Sequence, residues 1–162
     1  MLISEPIFEA LAEESDKIGT FAHGYTYSGH PVACAVAIET LKIYEERDIL
    51  GQVRRVGPAL QKGLRALAGH PLVGEVRGVG LVAGVELVRD KATKESFDPA
   101  NAVGAFCGER AQEHGLIVRP LADSIAFSPP LIITEAEIGD MIARFTMALE
   151  DTEAMVTEKG LR

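Results

Sequence analysis

A loop rich in hydroxyl groups stands directly before a helix-like segment in the first quarter of the chain. Residues 21–31 read FAHGYTYSGHP and include the hydroxyl side chains of Tyr25, Thr26, Tyr27 and Ser28. Pro31 suits the first turn of a helix, where its missing N–H costs little. Because amides and hydroxyls at a helix N-terminus attract anions, the loop is a candidate anion site. A capped loop whose tyrosines pack on the core is the alternative, and the residue types do not decide between the two.

Arg119 is a second candidate binding residue. It follows the apolar run 116–118 and precedes Pro120, which places it at the end of a predicted strand. An arginine at a strand end can present its planar fork to a carboxylate. It can also be a surface residue whose aliphatic stem packs on the protein. By residue type alone the surface role is favoured, since buried arginines are rare.

Other chemical patterns in the sequence give no site. Residues 78–83, GVGLVA, match the dinucleotide-binding pattern, but that site needs a turn followed by a helix, and here the alternation continues as a strand. The histidines lack the spacing of metal ligands; they are His23, His30, His70 and His114. The carboxylates are dispersed, with no pair that indicates catalysis, and no nucleophile elbow is present. We therefore predict no catalytic residue and no metal site within these 162 residues.

Composition excludes several classes of protein. The chain has 162 residues, of which 47% are hydrophobic, enough for a buried core. A net charge of −8 argues against nucleic acid and against anionic membrane surfaces. No stretch approaches the roughly 20 apolar residues of a membrane span, and the start MLISE lacks the features of a signal peptide. Cys34 and Cys107 are far apart, so we expect small core residues in a reducing cytoplasm.

Periodicity predicts an α+β fold. Helices are expected over 4–14, from 30 through the forties, over 48–68, from Asp98-Pro99 to Gly115, and from the capping box Thr134–Glu137 onward; strands are expected over 73–79, 81–87, 116–119 and 125–127. Strands that come in pairs favour a small antiparallel sheet covered by helices. Residues 1–47 are interpreted as the remnant of a larger domain with a connecting helix, and 48–162 as a small domain. The apolar stretch 32–38 is expected to be buried between two bodies.

Three segments resemble one known enzyme family. FAHGYTYSGHPVACAVAIETL (21–41), RGVGLVAGVELV (77–88) and GLIVRPLADSIAFSPPLIIT (115–134) are similar, in this order, to segments of class III aminotransferases of the omega-amino-acid and amine:pyruvate type. The first match is specific, whereas the glycine-rich second match would be weak alone. The resemblance runs along essentially the whole chain.

This resemblance implies a fold, a cofactor and site residues. The chain would be the small C-terminal domain of a fold-type I enzyme, a homodimer that holds pyridoxal phosphate between its subunits. Its substrates would be an amine or omega-amino acid and a keto acid, with no nucleic acid or membrane as partner. Thr26 would reach the cofactor phosphate, and Tyr25 and Ser28 would shape the same loop. Arg119 would bind the substrate carboxylate, which reverses the preference for a surface role, and Asp123 would be structural.

The family's cofactor-bonding lysine lies upstream of the segment at which this sequence starts, so we expect that lysine to be missing. Such a lysine needs a desolvated pocket. The lysines present stand in polar surroundings; they are Lys17, Lys42, Lys62, Lys91, Lys94 and Lys159. We therefore predict that the chain belongs to a transaminase family but is inactive on its own. A non-catalytic interaction or oligomerisation module, and an enzyme completed by a separate upstream polypeptide, are the alternatives.

Overall fold

A computed structural model describes residues 3–162 and divides the chain into two compact units, Met1–Ile43 and Tyr44–Arg162. The elements are α1 Glu5–Ile18, α2 Pro31–Glu46, α3 Ile49–Ala66, β1 Val73–Val79, β2 Val82–Leu87, α4 Val103–Glu113, β3 Arg119–Leu121, β4 Ser124–Phe127 and α5 Glu135–Glu158. Among the helices of residues 3–162, none has the length and apolar character needed to cross a membrane.

The first unit consists mainly of α1 and α2. Gly19, with φ 104°, ends α1, and its amide donates to the Ser15 carbonyl. Neither helix buries a residue. The expected burial of residues 32–38 is therefore not met in this structure, where Val32 is 64% exposed and Cys34 is exposed as well. The apolar residues of this segment predict burial, but they do not say what covers them.

The second unit has the predicted α+β architecture. Its four strands pair antiparallel in the order β1-β2-β4-β3. One face of the sheet is buried against the helices through Ala83, Val85, Leu87, Ile125 and Phe127. The core continues into α3, α4 and α5 through Leu60, Leu64, Cys107, Phe145 and Leu149. The predicted small antiparallel sheet covered by helices is confirmed.

Two predicted boundaries shift for local reasons. Asp98 caps only a short 3₁₀ turn, Pro99–Asn101, and α4 begins at Val103 after Ala102 takes φ 48°. The strand predicted over 116–119 begins only at its last residue, and the Leu116 amide donates instead to the Ala111 carbonyl near the end of α4. The strand β3 starts instead at Arg119. The capping box of Thr134 and Glu137 at the start of α5 is confirmed.

Candidate substrate and cofactor sites

Arg119 lies on the outer face of the sheet, at its edge. It is the first residue of β3, the edge strand, and it pairs with Ala126 of β4. The neighbours of Ala126 along β4, Ile125 and Phe127, are buried, and successive side chains of a strand point to opposite faces. Ala126 and Arg119 therefore face away from the core.

A surface pocket of about 420 Å³ opens beside Arg119. Most of its wall is apolar, from Leu116, Val118, Phe127, Pro129, Pro130, Ile133 and Met141. The Arg119 side chain is exposed and has no salt-bridge partner within residues 3–162. A guanidinium next to an apolar pocket suits a carboxylate that carries a carbon chain.

Asp123 fastens the turn of the β3–β4 hairpin to α4. Its Oδ1 accepts a hydrogen bond of 2.9 Å from the Gly104 amide in the first turn of that helix. The neighbouring turn residue Ala122 has φ 51°. Partial burial raises the pKa of Asp123; the Gly104 hydrogen bond opposes this effect, and the nearby Glu86 adds to it. The hairpin that carries Arg119 is thus held by a carboxylate whose lost hydration is only partly offset by its hydrogen bond to Gly104.

Sequence reasoning missed a polar cluster on the same outer face of the sheet. Arg77 of β1 donates through Nη2 to Glu86 Oε2 at 3.1 Å and to Ser124 Oγ at 3.2 Å. The three residues belong to β1, β2 and β4, so one side chain connects three strands. The sequence gives no sign of this cluster, because the strand register that brings Ser124 to Arg77 follows from tertiary pairing.

The loop before α2 forms a hydrogen-bonded turn in the first unit. The Ser28 amide donates to the Tyr25 carbonyl at 2.9 Å, and the Tyr25 amide donates to Ser28 Oγ at 3.1 Å. Thr26 lies between them, and its side chain is exposed. Tyr25 and Tyr27 are 76% and 78% exposed, so the tyrosines do not pack on a core in this structure. The Thr26 hydroxyl and the Ser28 O–H remain able to donate to a ligand, and such donors suit a phosphate group.

The six lysines share an open environment: Lys17, Lys42, Lys62, Lys91, Lys94 and Lys159 are all exposed. Lys17, Lys42 and Lys94 lie within salt-bridge distance of glutamates. Lys91 donates to the carbonyls of Ala68 and His70. In this structure no lysine occupies a desolvated pocket of the kind that activates an amine at neutral pH.

Comparison with known proteins places the chain among transaminases. Residues 2–149 match the family described as aminotransferase class-III. "Gamma aminobutyrate transaminase 3, chloroplastic" of Solanum lycopersicum is 46% identical over 158 residues, which are 98% of this chain and 30% of that protein. "Gamma-aminobutyrate transaminase 1, mitochondrial" of Oryza sativa subsp. indica is also 46% identical, over 98% of this chain and 31% of that protein.

Solved structures give the same result. The omega transaminase from Pseudomonas jessenii in complex with PMP superimposes with a TM-score of 0.82 at 47% identity, covering 96% of this chain and 34% of that one. A structure described as a transaminase with L-ala has a TM-score of 0.82 at 50% identity, with coverage of 96% and 37%. The chain spans about 30% of the length of the curated relatives it matches. On the match that covers residues 2–149, this chain belongs to the class-III aminotransferase family.

Proposed function

We propose that the chain is the C-terminal part of a transaminase that moves an amino group between an amine or omega-amino acid and a keto acid. The observation that carries the proposal is Arg119, exposed beside an apolar pocket and without a salt-bridge partner in residues 3–162. Its guanidinium would bind the substrate carboxylate, and the pocket wall would accept the carbon chain. The tomato and rice relatives are named for γ-aminobutyrate, a carboxylate of this kind.

The loop 25–28 would contribute to the cofactor site. Class-III aminotransferases use pyridoxal phosphate. The hydroxyls of Thr26 and Ser28 fit the phosphate of this cofactor, because both side chains are exposed on one short turn and can donate. Tyr25 shapes the turn through its hydrogen bonds to Ser28. When bound, pyridoxal phosphate supplies the electron sink of the reaction, while residues such as these supply contact and orientation.

We propose further that these 162 residues do not transaminate alone, since all six lysines are exposed. The test is to mix the purified chain with pyridoxal phosphate, reduce it with borohydride and map any modified lysine by mass spectrometry. We expect slow labelling scattered over several lysines and no transaminase activity. Stoichiometric labelling of one lysine, together with turnover, would refute this part of the proposal.

The carboxylate role of Arg119 is tested separately by titrating the chain with butanoate. Arg119→Met keeps an apolar stem but removes the guanidinium, so we expect butanoate to bind about ten-fold more weakly or worse. Arg89→Met is the matched control, because it removes the same charge from the ion pair with Glu95. Equal affinities of the wild type and Arg119→Met would exclude the carboxylate role.

A non-catalytic interaction or oligomerisation module is the second candidate, and the first unit favours it. Helix α2 has four large apolar side chains that are each more than half exposed: Val32, Val36, Ile38 and Leu41. A helix that exposes apolar side chains on more than one side is suited to burial against another chain or domain. We propose a homodimer for the same reason, because a second copy of the chain could cover these apolar side chains. Sedimentation at increasing protein concentration tests it, and a chain that stays strictly monomeric would count against both association and the module.

Location in a reducing compartment, such as the cytoplasm, is also part of the proposal. Both cysteines are free thiols, Cys34 exposed and Cys107 buried. The relatives cited above carry the words chloroplastic and mitochondrial in their names, so organelles are the competing locations. Imaging a tagged copy of the native gene product would separate these compartments.

A further inference from the structure

Four residues form one continuous row across the outer face of the sheet, and Arg119 stands at one end of it. Arg77 pairs with Gly84, Gly84 pairs with Ala126, and Ala126 pairs with Arg119. Side chains of directly opposed residues in antiparallel strands point to the same face. Two arginines therefore occupy the ends of the row, and the two smallest residue types lie between them.

The Arg77 side chain lies across the floor of this row. A Cβ built on Gly84 would be 3.9 Å from both Cγ and Cζ of Arg77 and 3.7 Å from Ser124 Oγ, so the side chain runs over Gly84 towards β4. There Nη2 reaches Ser124 and Glu86. The guanidinium is thus engaged by an acceptor on each of two neighbouring strands.

Ser124 links this contact to Arg119. It is the first residue of β4 and pairs with Leu121, the last residue of β3. The strand β3 has only three residues and a single strand neighbour. A contact that fixes the start of β4 therefore also fixes the strand on which Arg119 stands.

We propose that Arg77 is a positioning residue for Arg119: by holding Ser124 it sets the lateral position of the β3–β4 hairpin, and so the place at which Arg119 meets a carboxylate. This inference rests on the carboxylate role of Arg119 given above. Arg77 acts through the hairpin rather than as a ligand, because its guanidinium is already bonded to Glu86 and Ser124. Its side chain is 53% exposed, so losing it leaves the core intact.

The test is a double-mutant cycle read by butanoate affinity. Arg77→Met keeps the apolar stem over Gly84, and Ser124→Ala removes the hydroxyl that accepts from Arg77. We expect each to weaken butanoate binding about five-fold, and the double variant to bind no more weakly than either one. Arg77→Lys keeps the charge with a single donor group and should fall between the wild type and Arg77→Met. Arg89→Met, which removes an equal charge from the pair with Glu95, should bind as the wild type does.

A second readout does not depend on any ligand. The Nε–Hε NMR signal of Arg119 in the free protein should move in both Arg77→Met and Ser124→Ala and stay in place in Arg89→Met. An unmoved signal in Ser124→Ala, or fully additive affinity losses, would overturn the positioning role. Affinity losses that are explained by a lower stability, seen as a lower midpoint of urea unfolding, would also overturn the positioning role. If the wild type fails to bind butanoate, the carboxylate role falls, while the Arg119 signal still decides whether Arg77 positions it.

Discussion

Asp123 Oδ1 accepts a hydrogen bond of 2.9 Å from the amide of Gly104, and this bond joins the turn of the β3–β4 hairpin to the first turn of α4. Ala102, the residue before α4, provides no side-chain cap of its own. A carboxylate from 19 residues further along the chain thus takes the place of an ordinary helix cap. Because the same hairpin carries Arg119, this contact stabilises the start of α4 and also helps to position the candidate carboxylate site.

Replacing Asp123 tests this contact. Asp123→Ala removes the acceptor for the Gly104 amide and should lower the free energy of unfolding by about 1 kcal/mol. Asp123→Asn keeps an oxygen in the same place, so we expect it to retain most of the stability. Urea unfolding followed by circular dichroism measures both. Equal losses for the two variants would mean that the charge, and not the hydrogen bond, is what matters.

The pH dependence of stability gives a separate prediction for Asp123. Burial raises the pKa of this carboxyl above its ordinary value of 3.8, so the folded state holds the proton more tightly than the unfolded state does. The stabilising contribution is complete below the unfolded pKa and is lost as the pH rises through the raised folded pKa. Asp123→Asn has no such proton, so its stability relative to the wild type should increase over this window.

Unfolding free energies of the wild type and Asp123→Asn, measured from about pH 3 to about pH 7, check the sign. Asp16→Asn on α1 is the control, since that exposed side chain lies in the other unit and should leave the difference constant. A relative stability of Asp123→Asn that falls as the pH rises would contradict the prediction.

Close approach at Gly104 gives a third prediction. A Cβ at this position would lie 2.0 Å from the Ala122 carbonyl oxygen, so Gly104→Ala must push the turn away from α4. Overpacking of this kind costs about 1–3 kcal/mol. Gly139→Ala in α5 is the matched control: its Cβ meets nothing within 4 Å, and alanine in an exposed helix should stabilise by up to about 1 kcal/mol. Thermal unfolding of both variants should therefore show midpoint shifts of opposite sign.

The contact between α5 and the buried face of the sheet depends on an aromatic pair. Phe145 is fully buried, and its ring meets that of Phe127 edge to face with centroids 4.8 Å apart. Phe145→Ala should lower the free energy of unfolding by about 3–5 kcal/mol. Met147→Ala on the same helix, where the side chain is 41% exposed, should cost far less. Similar losses for the two would show that the core does not depend on this pair.

Local patterns made part of this fold predictable. The Thr134–Glu137 capping box depends on residues three apart, and it is present as expected. The paired strands gave the antiparallel sheet because their alternation and turn residues are local too. The start of α4 was placed too early, since Asp98 and Pro99 suit a short 3₁₀ turn as well as a helix. The sequence alone does not decide between a 3₁₀ turn and a helix at these residues, because the choice depends on tertiary packing.

The candidate site was only partly predictable, for a physical reason. The place of Arg119 after an apolar run makes it a candidate, its carboxylate role is expected only from the family resemblance, and its neighbours come from distant segments. Arg77 and Ser124 are 47 residues apart, and Asp123 and Gly104 are 19 apart. Strand register and helix docking bring these pairs together, and both follow from tertiary packing rather than from local sequence preference.

If Arg119 binds the substrate carboxylate, its guanidinium must respond to a carboxylate in preference to the other arginines. The Nε–Hε signals of the ten arginines can be followed by NMR while butanoate is added, with butanamide as the uncharged control. We expect a saturable shift of the Arg119 signal with butanoate and none with butanamide. A shift centred on another arginine, or an equal response to both compounds, would contradict it.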